Sequence, residues 1–178
     1  MHLDRYDNSS FDRGASRLHE ALWILCKCLF FLGPLPWPSR LRVALLRLFG
    51  AKMGANNVIR SGVNISFPWR FTSGDHVWIG EDVSILSLAT VSLGSNVCLS
   101  QKAYLCTGSH DWKKDTFDLI TSPIVVEDEC WVAAMSFLAA GVTVGRGSVV
   151  SAGAVVRKSI PAEHMAMGNP ATVQPKKR

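Results

Sequence analysis

The residue best suited to acid–base chemistry is His110, which lies in the longest polar break of an otherwise regular sequence. The break covers residues 107–124 and reads TGSHDWKKDTFDLITSPI, so Asp111 and Trp112 directly follow the histidine. An imidazole, whose ordinary pKa is about 6.5, can remove a proton from a hydroxyl group near neutral pH. The sequence shows no GxSxG turn and no Ser-His-Asp arrangement, so direct attack by that hydroxyl is simpler than a covalent enzyme intermediate. We therefore predict that His110 is a general base.

An aliphatic residue returns at every sixth position on either side of this break. A period of six fits neither an amphipathic helix nor a hairpin meander. It is typical of six-residue units that each consist of a short strand and a turn, and three such units close a triangular coil. The aliphatic side chains should point inward and stack on those of neighbouring coils. The repeat shifts by two residues between Val91 and Leu93, and we expect a longer turn to absorb this shift. We also expect turns at Gly145 and Gly153. The repeating positions are Met53, Ile59, Ile65; Ile79, Ile85, Val91; Leu93, Leu99, Leu105; and Val126, Val132, Leu138, Val144, Val150, Val156.

The N-terminal part of the chain lacks this period and predicts helices. The apolar run at residues 21–33 is too short to span a membrane, and a second helix is predicted over Ser39–Phe49 with Ser39 as its N-cap. The pair either covers one end of the solenoid or forms an amphipathic surface that rests on an anionic membrane. We predict a helical extension at residues 1–50 and a β-helix domain at residues 51–178, interrupted by the loop at 107–124.

Charge is distributed unevenly along the 178 residues. Residues 1–52 hold 8 Lys+Arg against 4 Asp+Glu, residues 53–156 hold 6 against 9, and residues 157–178 hold 5 against 1. Basic ends suit a membrane surface, a nucleic acid or a phosphorylated ligand, and charge alone does not choose among them. The five cysteines include no CxxC pair, which favours structural thiols in a reducing compartment. Residues 1–14 do not resemble a secretory signal.

The stretch YLCTGSHDWKKDTFDLITSPIVVEDECWVAA, with SLGSNVCLSQ before it, resembles the colanic-acid-type branch of the hexapeptide-repeat acyltransferases. That branch stands beside the maltose, galactoside and nodulation-factor acetyltransferases. The resemblance extends from LDRYDNSS near the N-terminus, through FPW at residues 67–69, to GNPA at residues 168–171. It implies an all-β fold, the left-handed parallel β-helix. It also implies acetyl-CoA as donor, a sugar hydroxyl in exopolysaccharide or glycan biosynthesis as acceptor, and a homotrimer with active sites between subunits.

The resemblance also implies roles for individual residues. His110 falls on the family's general base, and Trp131 on a tryptophan that flanks the donor site. Ala134 and Ala152 match positions whose backbone lines the pantetheine arm of CoA. Arg157 and Lys158 match positions near its nucleotide end. Because CoA carries a pyrophosphate and a 3′-phosphate, a basic cluster is expected there. Its members are Arg157, Lys158, Lys176, Lys177 and Arg178.

The acceptor side departs from the family pattern. Relatives carry a polar or acidic pair near Ser87, where this chain has Leu86 before the serine. The candidate acceptor contacts that remain are Asp82, Ser84, Tyr104 and Asp111.

Other functions on the same fold differ in what they require. A zinc site of the carbonic-anhydrase type needs three histidines from neighbouring coils, and His76, His110 and His164 are out of step for it, so we expect no metal. An N-acyltransferase acting on an amino sugar and a non-catalytic trimeric scaffold both remain open. No nucleic-acid partner is expected. The predicted location is the cytoplasm, peripheral to the inner face of the membrane through the N-terminal segment.

Overall fold

The computed structural model describes residues 2–176, which form a left-handed parallel β-helix of six coils closed at its start by two helices. Three parallel faces run along the solenoid, and their strands are numbered β1–β19 in chain order. The first face contains β1 (Lys52–Met53), β4 (Phe71–Ser73), β7 (Val91–Leu93), β12 (Ile124–Val126) and β15 (Thr143–Val144). The second contains β2 (Val58–Ile59), β5 (Trp78–Ile79), β8 (Cys98–Leu99), β13 (Trp131–Val132), β16 (Val149–Val150), β18 (His164–Met167) and the antiparallel β19 (Thr172–Pro175). The third contains β3 (Asn64–Ile65), β6 (Ser84–Leu86), β9 (Tyr104–Cys106), β14 (Phe137–Leu138) and β17 (Val155–Val156).

The six-residue period predicted this architecture correctly, because each repeating aliphatic residue points into the solenoid. On the second face Ile79 pairs in register with Leu99, and Leu99 with Val132, so equivalent side chains stack coil upon coil. The repeating positions from Ile59 to Val156 are almost fully buried. The small residues that recur between them, such as Cys130 and Ser136, are buried at the corners.

The two-residue shift in the repeat has a different origin from the one predicted. Val91 and Leu93 lie on the same three-residue strand, and both are buried. Phe71 and Ser73 on the strand below are arranged in the same way. The first face therefore absorbs the shift because two residues of one strand point inward. The longer turn that the sequence predicted is not needed.

Two glycines at corners are required by backbone geometry. Gly153 has a φ of +69°, which L side chains rarely adopt. Gly145 has an ordinary φ, but a Cβ there would collide with the backbone nitrogen of Ala162 in the next coil. Both positions are turns, as the sequence predicted.

Two helices close the N-terminal end of the solenoid. Helix α1 (Arg17–Phe30) begins after Ser16, whose hydroxyl accepts a hydrogen bond from the His19 amide at 3.2 Å. Its Trp23 is fully buried and donates its indole N–H to the Ile65 carbonyl of the first coil at 3.0 Å. No helix within residues 2–176 is both long and apolar enough to cross a membrane.

Helix α2 (Ser39–Leu48) corrects one prediction. Its N-cap is Pro38, not Ser39, and the Ser39 hydroxyl instead accepts the Ile59 amide at 2.8 Å. The buried Arg42 donates to the Phe30 carbonyl at 2.9 Å and so joins the two helices. The helices pack on the first coil, as one of the two sequence interpretations proposed. The division into domains at residue 50 stays a prediction.

The inward stack generates a stability prediction. Leu99→Ala should lower the free energy of unfolding by about 2–5 kcal/mol, because it opens a cavity in the middle of the second face. Cys98→Ala is the matched control, since Cys98 precedes Leu99 on the same strand and is only partly buried. Urea denaturation of both variants tests this, and equal midpoints would contradict an inward-facing Leu99.

Candidate active site

The polar break in the repeat forms a β-hairpin that leaves the solenoid at one corner. Strands β10 (Gly108–His110) and β11 (Leu119–Thr121) pair antiparallel, with Gly108 opposite Thr121 and His110 opposite Leu119. Directly paired residues share a face of a two-stranded sheet. His110, Leu119 and Thr121 therefore lie on one face of the hairpin. We call the corner between the third and first faces, where it emerges, the hairpin corner.

The hairpin holds the His110 ring in one orientation. The ring lies parallel to that of Phe117 with 4.2 Å between centroids, and Nδ1 lies 2.8 Å from the Phe117 carbonyl oxygen. A carbonyl oxygen can only accept a hydrogen bond, so Nδ1 carries the proton. The lone pair of Nε2 is then available to accept one. Phe117 has a φ of +52°, which is rare for a bulky residue and brings its carbonyl back to the histidine.

An N-terminal segment, residues 2–13, crosses over the hairpin, and we call it the strap. The His2 amide donates to the Asp115 carbonyl at 2.8 Å. The Tyr6 ring contacts the His110 ring edge-on, with 5.4 Å between centroids. Arg70 fastens the other end of the strap, because its guanidinium donates to the carbonyls of Asp12 and Leu88. The strap and the hairpin thus enclose His110 from two sides.

A cavity of about 790 Å³ lies between the strap, the hairpin and the hairpin corner. Leu119 and Thr121, which share the hairpin face of His110, line the cavity, whereas His110 itself is not among its lining residues. Hydrogen bonds from the Ser9 amide and hydroxyl lower the pKa of Asp7, which lines the cavity from the strap. Hydrogen bonds from Lys114 and Thr116 lower the pKa of Asp118 on the opposite wall. The cavity lining therefore includes the ionised carboxylates of Asp7 and Asp118, together with Asp12 and the guanidinium of Arg70.

Three of the predicted donor residues lie at, or directly beside, another corner of the coil. Trp131 is half exposed at the start of β13 and donates its indole N–H to the Ser100 hydroxyl at 2.9 Å. Ala134 and Ala152 follow the second face in successive coils, and the Gly153 amide donates to the Ala134 carbonyl at 2.9 Å. We call this corner, between the second and third faces, the alanine corner. The structure thus groups Trp131, Ala134 and Ala152, and separates them from His110 by the width of the third face.

The predicted basic cluster is only partly assembled. Arg157 and Lys158 are exposed at the hairpin corner, two coils beyond His110, and line a second cavity of about 570 Å³. Lys176 instead forms an ion pair with Glu163 at 3.2 Å and donates to the Gly147 carbonyl, at a different corner. Lys177 and Arg178 lie outside the described residues.

The four predicted acceptor contacts are spread over three places. Ser84 and Tyr104 pair in register on the outer surface of the third face. Burial raises the pKa of Tyr104 to about 12, so its phenol stays a neutral hydrogen-bond donor. Asp82 is exposed at the alanine corner, and Asp111 lies in the hairpin loop, where its carboxylate accepts the Lys113 amide at 3.1 Å.

Ser87 cannot take an acceptor, because its hydroxyl is fully buried and makes two hydrogen bonds with the backbone of Phe67.

Sequence reasoning missed the strap and the cavity. Tyr6 and Asp7 reach the site across more than one hundred residues of sequence, and no local periodicity marks such a contact. The sequence signal for the strap is the polar segment LDRYDNSS, which by itself indicates no contact with the hairpin. Within residues 2–176 no three His, Cys, Asp or Glu side chains are placed to hold a metal ion.

Comparisons with known proteins agree with this fold. No family model matches the chain. A protein of Escherichia coli K12 named as the colanic acid biosynthesis acetyltransferase WcaF is 44% identical over 161 residues, which cover 90% of this chain and 88% of that protein. A hexapeptide-repeat acetyltransferase of Vibrio cholerae, solved with acetyl-CoA, superposes with a TM-score of 0.82 at 25% identity and covers 93% of this chain and 92% of that one. A galactoside acetyltransferase solved with coenzyme A superposes with a TM-score of 0.72 at 25% identity, over 79% of this chain and 74% of that one.

Proposed function

The chain belongs to the hexapeptide-repeat acetyltransferases that use acetyl-CoA, and we propose that it transfers the acetyl group to a sugar hydroxyl in exopolysaccharide or glycan biosynthesis. The observation that carries the proposal is the hydrogen bond between Nδ1 of His110 and the Phe117 carbonyl. It leaves the lone pair of Nε2 available to act as a base, on a hairpin face whose Leu119 and Thr121 line a polar cavity.

The proposed reaction proceeds by direct transfer in a ternary complex. Nε2 of His110 takes the proton from the acceptor hydroxyl while the hydroxyl oxygen attacks the thioester carbonyl carbon. The tetrahedral intermediate collapses with cleavage of the C–S bond, and the imidazolium returns its proton to the CoA thiolate. Backbone amides along a coil are the available donors for the developing oxyanion. The protein contributes alignment, a base and a fixed tautomer.

The acceptor sugar is proposed to bind in the cavity beneath the strap. Its walls offer the carboxylates of Asp7 and Asp118 and the hydroxyl of Thr121, groups that hydrogen-bond well to sugar hydroxyls. The size of about 790 Å³ suits one or two sugar rings. The adjoining His110 face supports this placement.

The active site is proposed to form between subunits of a homotrimer. Within one chain His110 lies at the hairpin corner, and Trp131 lies at the alanine corner beyond the third face. A base and a donor site on opposite edges of one face meet when two copies pack side by side. Exposed aromatic surface at Trp112 on the hairpin and at Trp131 supports such packing.

The CoA phosphates are proposed to lie against Arg157 and Lys158. The cavity that these residues line is at the C-terminal end of the solenoid, and no carboxylate contributes to its described lining. We further propose that the protein works in the cytoplasm, where acetyl-CoA is available, at the inner face of the membrane.

His110→Ala should lower turnover by about 10²- to 10⁴-fold, because the base is lost while both substrate sites stay intact. His164→Ala is the matched control: its Nδ1 also lies 2.7 Å from a backbone carbonyl, but it is on β18, away from the hairpin. Thiol release from acetyl-CoA with fucose, glucose, galactose and amino-sugar acceptors measures this.

Wild-type turnover in His110→Ala would contradict the proposed base. Release only with amino sugars would favour N-acyl transfer. No release with any acceptor, lipid-linked sugars included, would favour the scaffold.

Lys158→Ala should raise the KM for acetyl-CoA roughly three- to tenfold and leave kcat nearly unchanged, because a remote phosphate contact stabilises ground and transition states equally. Lys52→Ala, an exposed lysine at the other end of the solenoid, should leave both values unchanged. Steady-state kinetics at a saturating acceptor concentration tests this. An unchanged KM in Lys158→Ala would place the nucleotide elsewhere.

Asp7→Asn should raise the KM for the sugar several-fold, because a hydrogen bond to a charged carboxylate is stronger than one to a neutral amide, and should leave the KM for acetyl-CoA unchanged. Asparagine keeps the oxygen that accepts the Ser9 amide, so the strap should retain its shape. Asp4→Asn, on the same strap but outside the cavity lining, is the control. Identical sugar kinetics in the two variants would move the acceptor out of the cavity.

A further inference from the structure

The outer side of α1 is apolar and uncovered. Four leucines at helical spacing, Leu18, Leu22, Leu25 and Leu29, are each between 49% and 71% exposed, and Leu32, two residues beyond the end of the helix, is 45% exposed. Large apolar side chains of a globular helix normally face the core, and here the core is already filled by the other side of α1, through Trp23 and its neighbours.

The one charged residue in this region points away from the outer face. Residues 21–38 contain a single charge, Lys27. Its ammonium donates to the side-chain oxygen of Asn64 in the first coil at 2.8 Å, and burial lowers its pKa. The helix therefore directs its lysine toward the protein and its leucines toward the surroundings, which is the reverse of a water-facing helix.

The shape of the apolar surface favours a broad, flat occupant over a second helix. The leucines alone follow the alternating spacing of a coiled-coil seam, but Ile24 widens the exposed surface and the charged residues that normally flank such a seam are missing. At 100° per residue the exposed apolar arc is about 160° wide. It continues past the helix to Leu35, which is also exposed.

The charge around this surface is positive. Arg17 is exposed at the start of α1 and Arg40 at the start of α2, and Glu20 of α1 is neutralised by an ion pair with Arg13 at 2.6 Å. Residues 1–52 carry twice as many basic as acidic residues. An apolar face with basic residues at its margin complements an anionic lipid surface.

We propose that the outer face of α1 and the connection to Leu35 bind an anionic lipid surface. Because the inner face of α1 closes the solenoid, its outer face points away from the coils. The protein would therefore rest on the membrane by its N-terminal end, with the leucines at the level of the headgroups and upper acyl chains. The inference gives a surface to the membrane location proposed above and does not depend on the acetyl transfer.

The test is sedimentation of the full-length protein with vesicles of phosphatidylcholine and phosphatidylglycerol, and with vesicles of phosphatidylcholine alone. We expect wild type to bind the anionic vesicles, and to bind less at high salt. The variant Leu22→Gln/Leu25→Gln/Leu29→Gln should partition at least about tenfold more weakly. Its matched control replaces Leu3, Leu48 and Val173, three exposed apolar residues elsewhere, with glutamine and should bind like wild type.

Two further measurements separate the possible outcomes. Thiol release with a soluble acceptor should be unchanged in the α1 variant, which shows that it folds, and the single variant Leu25→Glu should weaken vesicle binding on its own. Wild-type protein that stays in the supernatant, or an α1 variant that sediments like wild type, would overturn the proposal. So would an α1 variant that changes only the oligomeric state by light scattering, since the face would then join copies of the chain.

Discussion

The structure depends on the inward stack of aliphatic side chains. A single coil buries too little apolar surface to be stable, so each coil depends on contact with the coils beside it. This requirement holds the strand positions in register from Ile59 to Val156 and leaves freedom only at the corners. Every candidate functional residue that is not on an outer strand surface accordingly lies at a corner or beyond one. The hairpin with His110 can leave the solenoid because the strands before and after it, β9 and β12, remain in their stacks.

The same constraint separates the two halves of the proposed site. His110 and Trp131 cannot approach within one chain, because the third face lies between their corners and its strands are held by the stack. Flexibility of a loop does not overcome this, since the His110 ring is fixed by Phe117 and covered by Tyr6. The proposed arrangement, which uses both residues, therefore requires a second copy of the chain.

The fold and the candidate base could be predicted from the sequence because both are local patterns: a period of six and the point at which it breaks. Features that depend on contacts between distant parts of the chain could not be predicted in this way. Ser39 looked like an N-cap, but its hydroxyl bonds to Ile59, twenty residues away. Lys176 looked like part of the basic cluster, but it pairs with Glu163. The strap over His110 is the largest omission, because the contact between Tyr6 and His110 leaves no mark in either segment.

The ends of a solenoid raise a separate problem, since each exposes the last layer of the stack and an unpaired strand edge. At the C-terminus β19 folds back antiparallel on β18 and closes the second face. At the N-terminus α1 and α2 cover the first coil, and Trp23, Phe31 and Leu46 are fully buried there. Closure of the solenoid explains the apolar inner side of α1. It also explains why Lys27 points inward and donates a hydrogen bond to Asn64. It places no demand on the outer side, where serine or lysine would serve the fold as well as leucine. The exposed leucines are therefore available to the lipid surface that we propose they bind.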